Sequence, residues 1–159
     1  MQILERHQAK EFLKNHRRHK PIVATNGCFD ILHVGHISLL EYCHMLGGFV
    51  VVGVNSDESV RALKGKSRPI NSLHDRMKML TAIRYVDLVV PFYEPRATWF
   101  LNDIKPDVYV KGGDYTLETL DKDERKVLEA HGTKIKFFST VDGKSTTNLI
   151  KAIAEAPKQ

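Results

Sequence analysis

Two histidines, His33 and His36, stand three residues apart in the run Asn26-Gly27-Cys28-Phe29-Asp30-Ile31-Leu32-His33-Val34-Gly35-His36. A short apolar run, Ile22 to Thr25, leads into this stretch, and helical spacing follows it. If the pair opens a helix, both imidazoles share one face of its first turn. The unpaired N–H groups and the positive end of the helix dipole lie beside them, an arrangement that binds phosphate. Gly27 and Gly35 let the backbone approach a ligand closely. Zinc is the competing chemistry. No cysteine or carboxylate set surrounds the pair at zinc spacing, and the usual zinc helix places its histidines four apart. The pair is read as phosphate-binding, and no side chain is assigned to a metal.

Three further clusters suit the same ligand. Lys64, Lys66 and Arg68 surround Gly65 and Ser67, a composition for a mobile flap over phosphates and over a sugar phosphate. Arg76, on the next predicted helix, is grouped with Lys66 and Arg68 as substrate-binding; burial in an ion pair is its other reading. In Lys111-Gly112-Gly113-Asp114-Tyr115, paired glycines bring the backbone close to a ligand. Lys111 neutralises phosphate there, and Asp114 accepts from a base or a sugar hydroxyl. Finally, Gly143-Lys144-Ser145-Thr146-Thr147-Asn148 opens a predicted helix, with Ser145 placed to cap it. Its hydroxyls and N–H groups suit the β- and γ-phosphates of a nucleotide.

The elements that must position these loops alternate along the chain. Strands are expected over Ile22–Thr25, Phe49–Val54, Val86–Val90, Val108–Val110 and Ile135–Phe138. Phe49–Val54 is apolar throughout, as in a strand covered on both faces. Helices are expected over Ile37–Leu46, Ser72–Ile83, Pro95–Ile104, Glu118–His131 and Thr146–Ala154. The sum is an α/β domain: a Rossmann-like, doubly wound, five-stranded parallel sheet with helices on both faces. Ligands bind such sheets past the carboxyl ends of the strands, where the four clusters fall. Residues 1–20 are set apart as an N-terminal helical extension, and residues 21–159 form the main domain. Met1 to His19 is read as a solvated basic cover in preference to an oligomer contact.

Composition narrows the partners. The chain has 159 residues, 42% apolar and 27% charged, as in a soluble globular domain. No apolar stretch is long enough to span a bilayer, and no signal peptide is recognisable, so a cytoplasmic protein with no membrane partner is expected. Cys28 and Cys43 are too few for a disulfide framework. The formal charge of +5 comes in short groups and not as a continuous basic face with interleaved aromatics. That favours a small polyphosphate over nucleic acid.

His33-Val34-Gly35-His36, preceded by Asn26-Gly27-Cys28-Phe29-Asp30, resembles the HxGH signature of the cytidylyltransferase-like nucleotidyltransferases. The resemblance covers nearly everything from Ile22 to Ile153. Leu63-Lys64-Gly65-Lys66-Ser67-Arg68-Pro69, Pro106 through Tyr115 and Ser145 through Ile150 are similar to the D-glycero-β-D-manno-heptose 1-phosphate adenylyltransferases. The resemblance implies AMP transfer from ATP, accompanied by Mg²⁺, to a phosphorylated sugar, with release of pyrophosphate. It implies His33, His36, Lys64 and Lys111 as catalytic. It places nucleotide at Asn26 to Asp30, Gly35, His36, Gly113, Asp114 and Ser145 to Thr147. A homo-oligomer is expected. The competing family is the glycerol-3-phosphate cytidylyltransferases, which use CTP and tend to carry an acidic residue where Gly113 stands. Cys28 departs from the heptose pattern, as do Glu94–Trp99 and Leu117–Lys126.

Overall fold

A computed structural model describes residues 2–139 and 145–156. The elements run β1 (Gln2–Ile3), α1 (Arg6–His16), β2 (Ile22–Gly27), α2 (Val34–Met45), β3 (Phe49–Asn55), α3 (Asp57–Lys64) and α4 (Leu73–Thr81). They continue with β4 (Leu88–Phe92), α5 (Thr98–Ile104), β5 (Val108–Gly112), α6 (Lys122–Ala130), β6 (Lys134–Phe138) and α7 (Thr146–Glu155). The strands form one parallel sheet in the order β1-β4-β3-β2-β5-β6. All five expected strands are present, and a sixth joins them at the edge. That sixth strand, Gln2–Ile3, is too short to leave a periodic signal in the sequence.

Strand alternation sends neighbouring residues to opposite faces. Ile22 and Ala24 of β2 pack with Phe100, Leu101 and Ile104 of α5 and with Leu128 of α6. Val23 between them packs with Leu39, Leu40 and Cys43 of α2 and with Leu80 of α4. Val51 and Val52 of β3 divide in the same way. The sheet is therefore covered on both faces, which accounts for the unbroken apolar run of β3.

The N-terminal segment is not a solvated cover. Ala9 and Leu13 of α1 are buried in the core face shared with α5 and α6. Arg6 pairs with Glu94 and with Asp103 of α5, the latter at 3.0 Å. Leu4 donates its N–H to the Val89 carbonyl at 3.1 Å, extending the β1–β4 pairing. The basic residues of α1 hid the helix's narrow apolar stripe, because only its inward positions are hydrophobic.

β2 lies at the centre, with β3 and β4 to one side and β5 and β6 to the other. The chain leaves β2 for α2 on one face of the sheet and leaves β5 for α6 on the other. The β2–β5 border is thus the topological switch point, where a crevice opens at the carboxyl edge.

Leu13→Ala tests whether α1 belongs to this core. It removes a fully buried side chain, and a loss of about 2–5 kcal/mol in urea unfolding is expected. A solvated cover would lose almost nothing.

Candidate active site

The crevice at the switch point is a cleft of about 420 Å³. The loop after β2 supplies Asn26 to Asp30, His33, Gly35 and His36. The end of α3 supplies Lys64, and Lys111 and Gly113 come from the end of β5. Ser145, Thr146 and Thr147 close it at the start of α7. The structure thus gathers most of the residues singled out in the sequence into one cleft. Lys66, Asp114 and Arg76 are not among its lining. Gly143 and Lys144, from the fourth cluster, lie outside the described residues.

Two helix N-termini converge here, those of α2 and α7. His33 is the N-cap of α2, and its Nδ1 accepts the Gly35 N–H at 3.1 Å. A neutral ring that accepts at Nδ1 carries its proton on Nε2, so His33 presents a donor there. Ser145 caps α7 by accepting the Asn148 N–H at 3.1 Å. The Thr146 hydroxyl donates to the Ile31 carbonyl at 3.2 Å, docking α7 on the histidine loop. The His33 and His36 rings stack with centroids 3.9 Å apart. Burial holds the His36 pKa down at about 4, with a smaller contribution from His33, and burial also lowers that of His33. Two stacked imidazolium ions would repel; two neutral rings do not. His36 Nδ1 is buried and has no hydrogen-bond partner among the described residues.

Phe29 adopts a positive φ of 47° in this loop. Its ring is buried and lies against Gly27, where an added Cβ would meet it at 3.2 Å. The glycine is needed there for the packing of Phe29, in addition to any approach of a ligand.

Two of the three residues assigned to the second substrate have other work. Arg76 is fully buried. It donates to the carbonyls of Asn71 (3.1 Å), Cys28 (2.6 Å) and Asn55 (2.8 Å) and pairs with Asp57 at 2.7 Å. It touches no open space, so the ion-pair reading of Arg76 holds and the substrate reading is corrected. Arg68 lines the cleft but is paired with Asp30 at 2.5 Å. The Asp30 carboxylate also accepts the N–H groups of Ile70 and Asn71 at 2.9 Å. Burial alone would raise the Asp30 pKa; those N–H groups and Arg68 outweigh it and hold it below the usual range. Asp30 therefore pins the segment after α3 to the histidine loop. Lys66 is exposed and stands clear of the cleft.

The second loop group, expected as a flap, begins instead as helix α3. Ser56 caps it by accepting the Ser59 N–H at 3.2 Å. Asp57 and Glu58 occupy its first turn, and Arg61 and Lys64 its last, in the favourable sense for the helix dipole. That cap and charge order were the signal in the sequence. Lys64 ends the helix at the rim of the cleft.

Sequence reasoning did not find Glu124 or Arg96. Both line the cleft, with Pro95 and Ala97, on the side of α5 and α6. Glu124 is buried and pairs with Lys111 at 3.0 Å. Arg96 is 62% exposed and contacts Asp121 at 3.4 Å. No local motif marks either residue. Among the described residues, no cluster of three or more His, Cys, Asp or Glu is built to hold a metal ion.

The chain matches the cytidylyltransferase-like family over residues 24–152. It is 45% identical over 144 residues to a bifunctional protein HldE of Syntrophotalea carbinolica, covering 90% of this chain and 29% of that protein. A bifunctional protein HldE of Photorhabdus laumondii is 47% identical over 95% of this chain and 32% of its own length. The Haemophilus influenzae protein of the same name is 48% identical over 86% of this chain. The chain thus spans under one third of these relatives. Among solved structures, it is similar to the lipopolysaccharide core biosynthesis protein from Thermoplasma volcanium. That likeness has a TM-score of 0.63 and 28% identity, covering 79% of this chain and 99% of that one.

Two outcomes follow from the geometry. Arg76→Met leaves Asp57 without its partner and three carbonyls without a donor; a stability loss of about 3–5 kcal/mol is expected in denaturant titration. His36 is neutral in the fold but has the ordinary value of 6.5 in the unfolded chain. Between about pH 6.5 and 4 the unfolded chain binds the extra proton, so stability is full above that window and falls as pH drops through it. Urea unfolding across that window should slope in the parent and flatten in His36→Gln.

Proposed function

Since the chain belongs to the cytidylyltransferase-like family, we propose that it is a nucleotidyltransferase that moves AMP from ATP onto D-glycero-β-D-manno-heptose 1-phosphate, giving ADP-heptose and pyrophosphate. The observation that carries this reading is the stacked histidine pair at the mouth of α2, beside the N-terminus of α7, in a cleft at the switch point. The run Val110-Lys111-Gly112-Gly113-Asp114-Tyr115 supports the heptose acceptor. So does the similarity to a protein named for lipopolysaccharide core biosynthesis.

The reaction is an in-line displacement. A phosphate oxygen of the acceptor attacks the α-phosphorus of ATP, and the bond from that phosphorus to the β-phosphate's bridging oxygen breaks. Phosphate oxygens are already nucleophilic, so neither a covalent intermediate nor a strong base is required. Positioning and charge stabilisation remain for the protein. His33 offers its Nε2 donor to the triphosphate, and His36 stands beside it as a second neutral imidazole. Lys64 and Lys111 offset the charge that grows on the leaving pyrophosphate. Mg²⁺ bound with ATP would neutralise phosphate charge, and no protein side chain is assigned to hold it.

Arg96 takes the acceptor role that Arg76 vacates. It lies on the wall opposite the histidines' loop group, within the stretch that departs from the heptose pattern. The protein works in the cytoplasm and binds neither nucleic acid nor membrane; no helix among the described residues is long and apolar enough to cross a bilayer. It acts as a homo-oligomer, which light scattering reads directly.

A panel of ATP and CTP crossed with heptose phosphate, glycerol phosphate and other sugar phosphates, scored by pyrophosphate, tests the proposal. Turnover only with CTP would sink the adenylyl assignment. His36→Ala should keep the fold and lose about 10²–10³ in rate. Arg96→Ala should raise KM for the acceptor about 5- to 10-fold while KM for ATP stays near the parent's.

A further inference from the structure

We infer that Glu124 is a positioning residue: its buried carboxylate holds Lys111 at the cleft and ties it to the wall formed by Pro95–Ala97. The inference rests on the nucleotidyltransferase reading above, which does not itself assign Glu124 any part.

Glu124 lies in the first turn of α6, three residues after the N-cap Asp121. A glutamate there ordinarily faces water and the helix's own N–H groups. Here it is buried, with 3% of its surface exposed. One oxygen accepts the Ala97 N–H at 3.0 Å, and the other accepts from Lys111 Nζ at 3.0 Å. A single carboxylate thus joins the β4–α5 turn to the end of β5. Lys111 spends a second donor on the Tyr109 hydroxyl at 3.1 Å, and that hydroxyl donates to Asn26 Oδ1. The relay runs from the Ala97 N–H through Glu124, Lys111 and Tyr109 to Asn26. Its two ends and its central cation all line the cleft.

The direction of each bond is fixed by chemistry. A lysine ammonium only donates, so the Tyr109 oxygen must accept from it and give its own proton onward. Asn26 is thereby held with its carbonyl side occupied, leaving its NH₂ group as a donor. Two of the ammonium's three donors are used within the protein, which aims the side chain and leaves one for a ligand.

The charge of Lys111 depends on the same contacts. Burial by itself pulls its pKa down; Tyr109 and Glu124 more than offset this and raise it above the ordinary lysine value. Tyr109, Glu124 and the ring of Tyr115, 5.2 Å from Nζ, are the titratable groups that face it. Burial pushes the Tyr109 phenol pKa well up, so Tyr109 stays neutral and Glu124 is the anion beside Lys111; without that carboxylate, the burial that remains favours a neutral amine.

Glu124→Gln keeps an acceptor for the Ala97 N–H, removes the charge and puts an NH₂ group where Lys111 now finds an acceptor. Pyrophosphate release is measured from about pH 7 to about pH 10 for the parent, E124Q, K111M and the double variant. E124Q should gain an alkaline limb, absent from the parent, along which the rate falls about tenfold per pH unit. The double variant should match K111M within about twofold, because Glu124 acts through Lys111. Parent-like alkaline behaviour in E124Q, or losses that multiply in the double variant, would overturn the inference. A merely structural role lowers stability and leaves the shape of the pH profile unchanged. The Lys111 Nζ resonance, followed by NMR without substrate, gives a reading independent of turnover. The parent's ammonium should stay protonated above the ordinary lysine range; early titration overturns the inference even if E124Q does not fold. A parent that releases no pyrophosphate from any substrate pair would instead overturn the function proposed above, and the NMR titration would still decide the role of Glu124.

Discussion

The guanidinium of Arg76 organises this cleft. It is completely buried, and four separate segments meet on its donors: the loop after β2, the end of β3, the start of α3 and the approach to α4. Three of those segments present a backbone carbonyl, and the start of α3 presents the Asp57 carboxylate. A planar fork of donors is suited to collecting such dispersed acceptors, which a lysine's point charge could not span. Asp57 offsets the buried charge, so the cation is paired as well as solvated by carbonyls. Asp30 does the complementary task, an anion collecting N–H groups and one guanidinium. The floor of the cleft is therefore held by two charged hubs of opposite sign, while the hydrophobic core stops at the sheet beneath it.

With the hubs internal, the charge facing a ligand differs from a count of cations. Arg68 is neutralised by Asp30, and Lys111 is held by Glu124. The histidines are neutral at pH 7 because burial disfavours their ions. Under the proposed function, a triphosphate would meet two neutral imidazoles, two helix N-termini, Lys111 and, at the rim, Lys64. Such a site binds through preorganised hydrogen bonds more than through bulk attraction. A net charge of +5 on the chain says little about this balance.

The sheet and the histidine loop were legible in the sequence because their signals are local. β3 is a run of apolar residues, and the glycine-histidine spacing of residues 27–36 sits directly between a strand and a helix. α3 was missed because eight residues with exposed lysine and arginine read as a loop, although its cap and charge order were present. α1 and β1 were underestimated because a two-residue strand and a narrow apolar stripe carry little periodicity. Arg68 and Arg76 are assigned to a ligand on charge, on their place after the second strand and on the resemblance; Arg68 does line the cleft, and Arg76 does not. Whether a cation meets solvent, a ligand or a buried carboxylate depends on residues 38 or 48 positions away, and nothing in the local pattern encodes that. Glu124 shows the same limit from the other side: within the expected helix Glu118–His131 it looks like an ordinary solvated acid, and only the fold brings it to Lys111.

The two-residue strand β1 also bears on what this protein avoids. It pairs with β4 only at Leu88 and Val89, with one further bond from the Leu4 N–H to the Val89 carbonyl, and the pairing stops there. Pro91 falls two residues after Val89, on the same outward-facing register, and has no N–H to offer. At the opposite margin, β6 alternates Lys134 and Lys136 with its apolar residues. One margin is closed by a short strand and a proline and the other by lysines, so neither presents a flat template to which a second sheet could add. A parallel sheet of slow-forming, non-local pairings is most exposed to such self-templating while it folds. The few residues of β1 thus act as a guard against fibrillar aggregation as well as a contribution to the native fold.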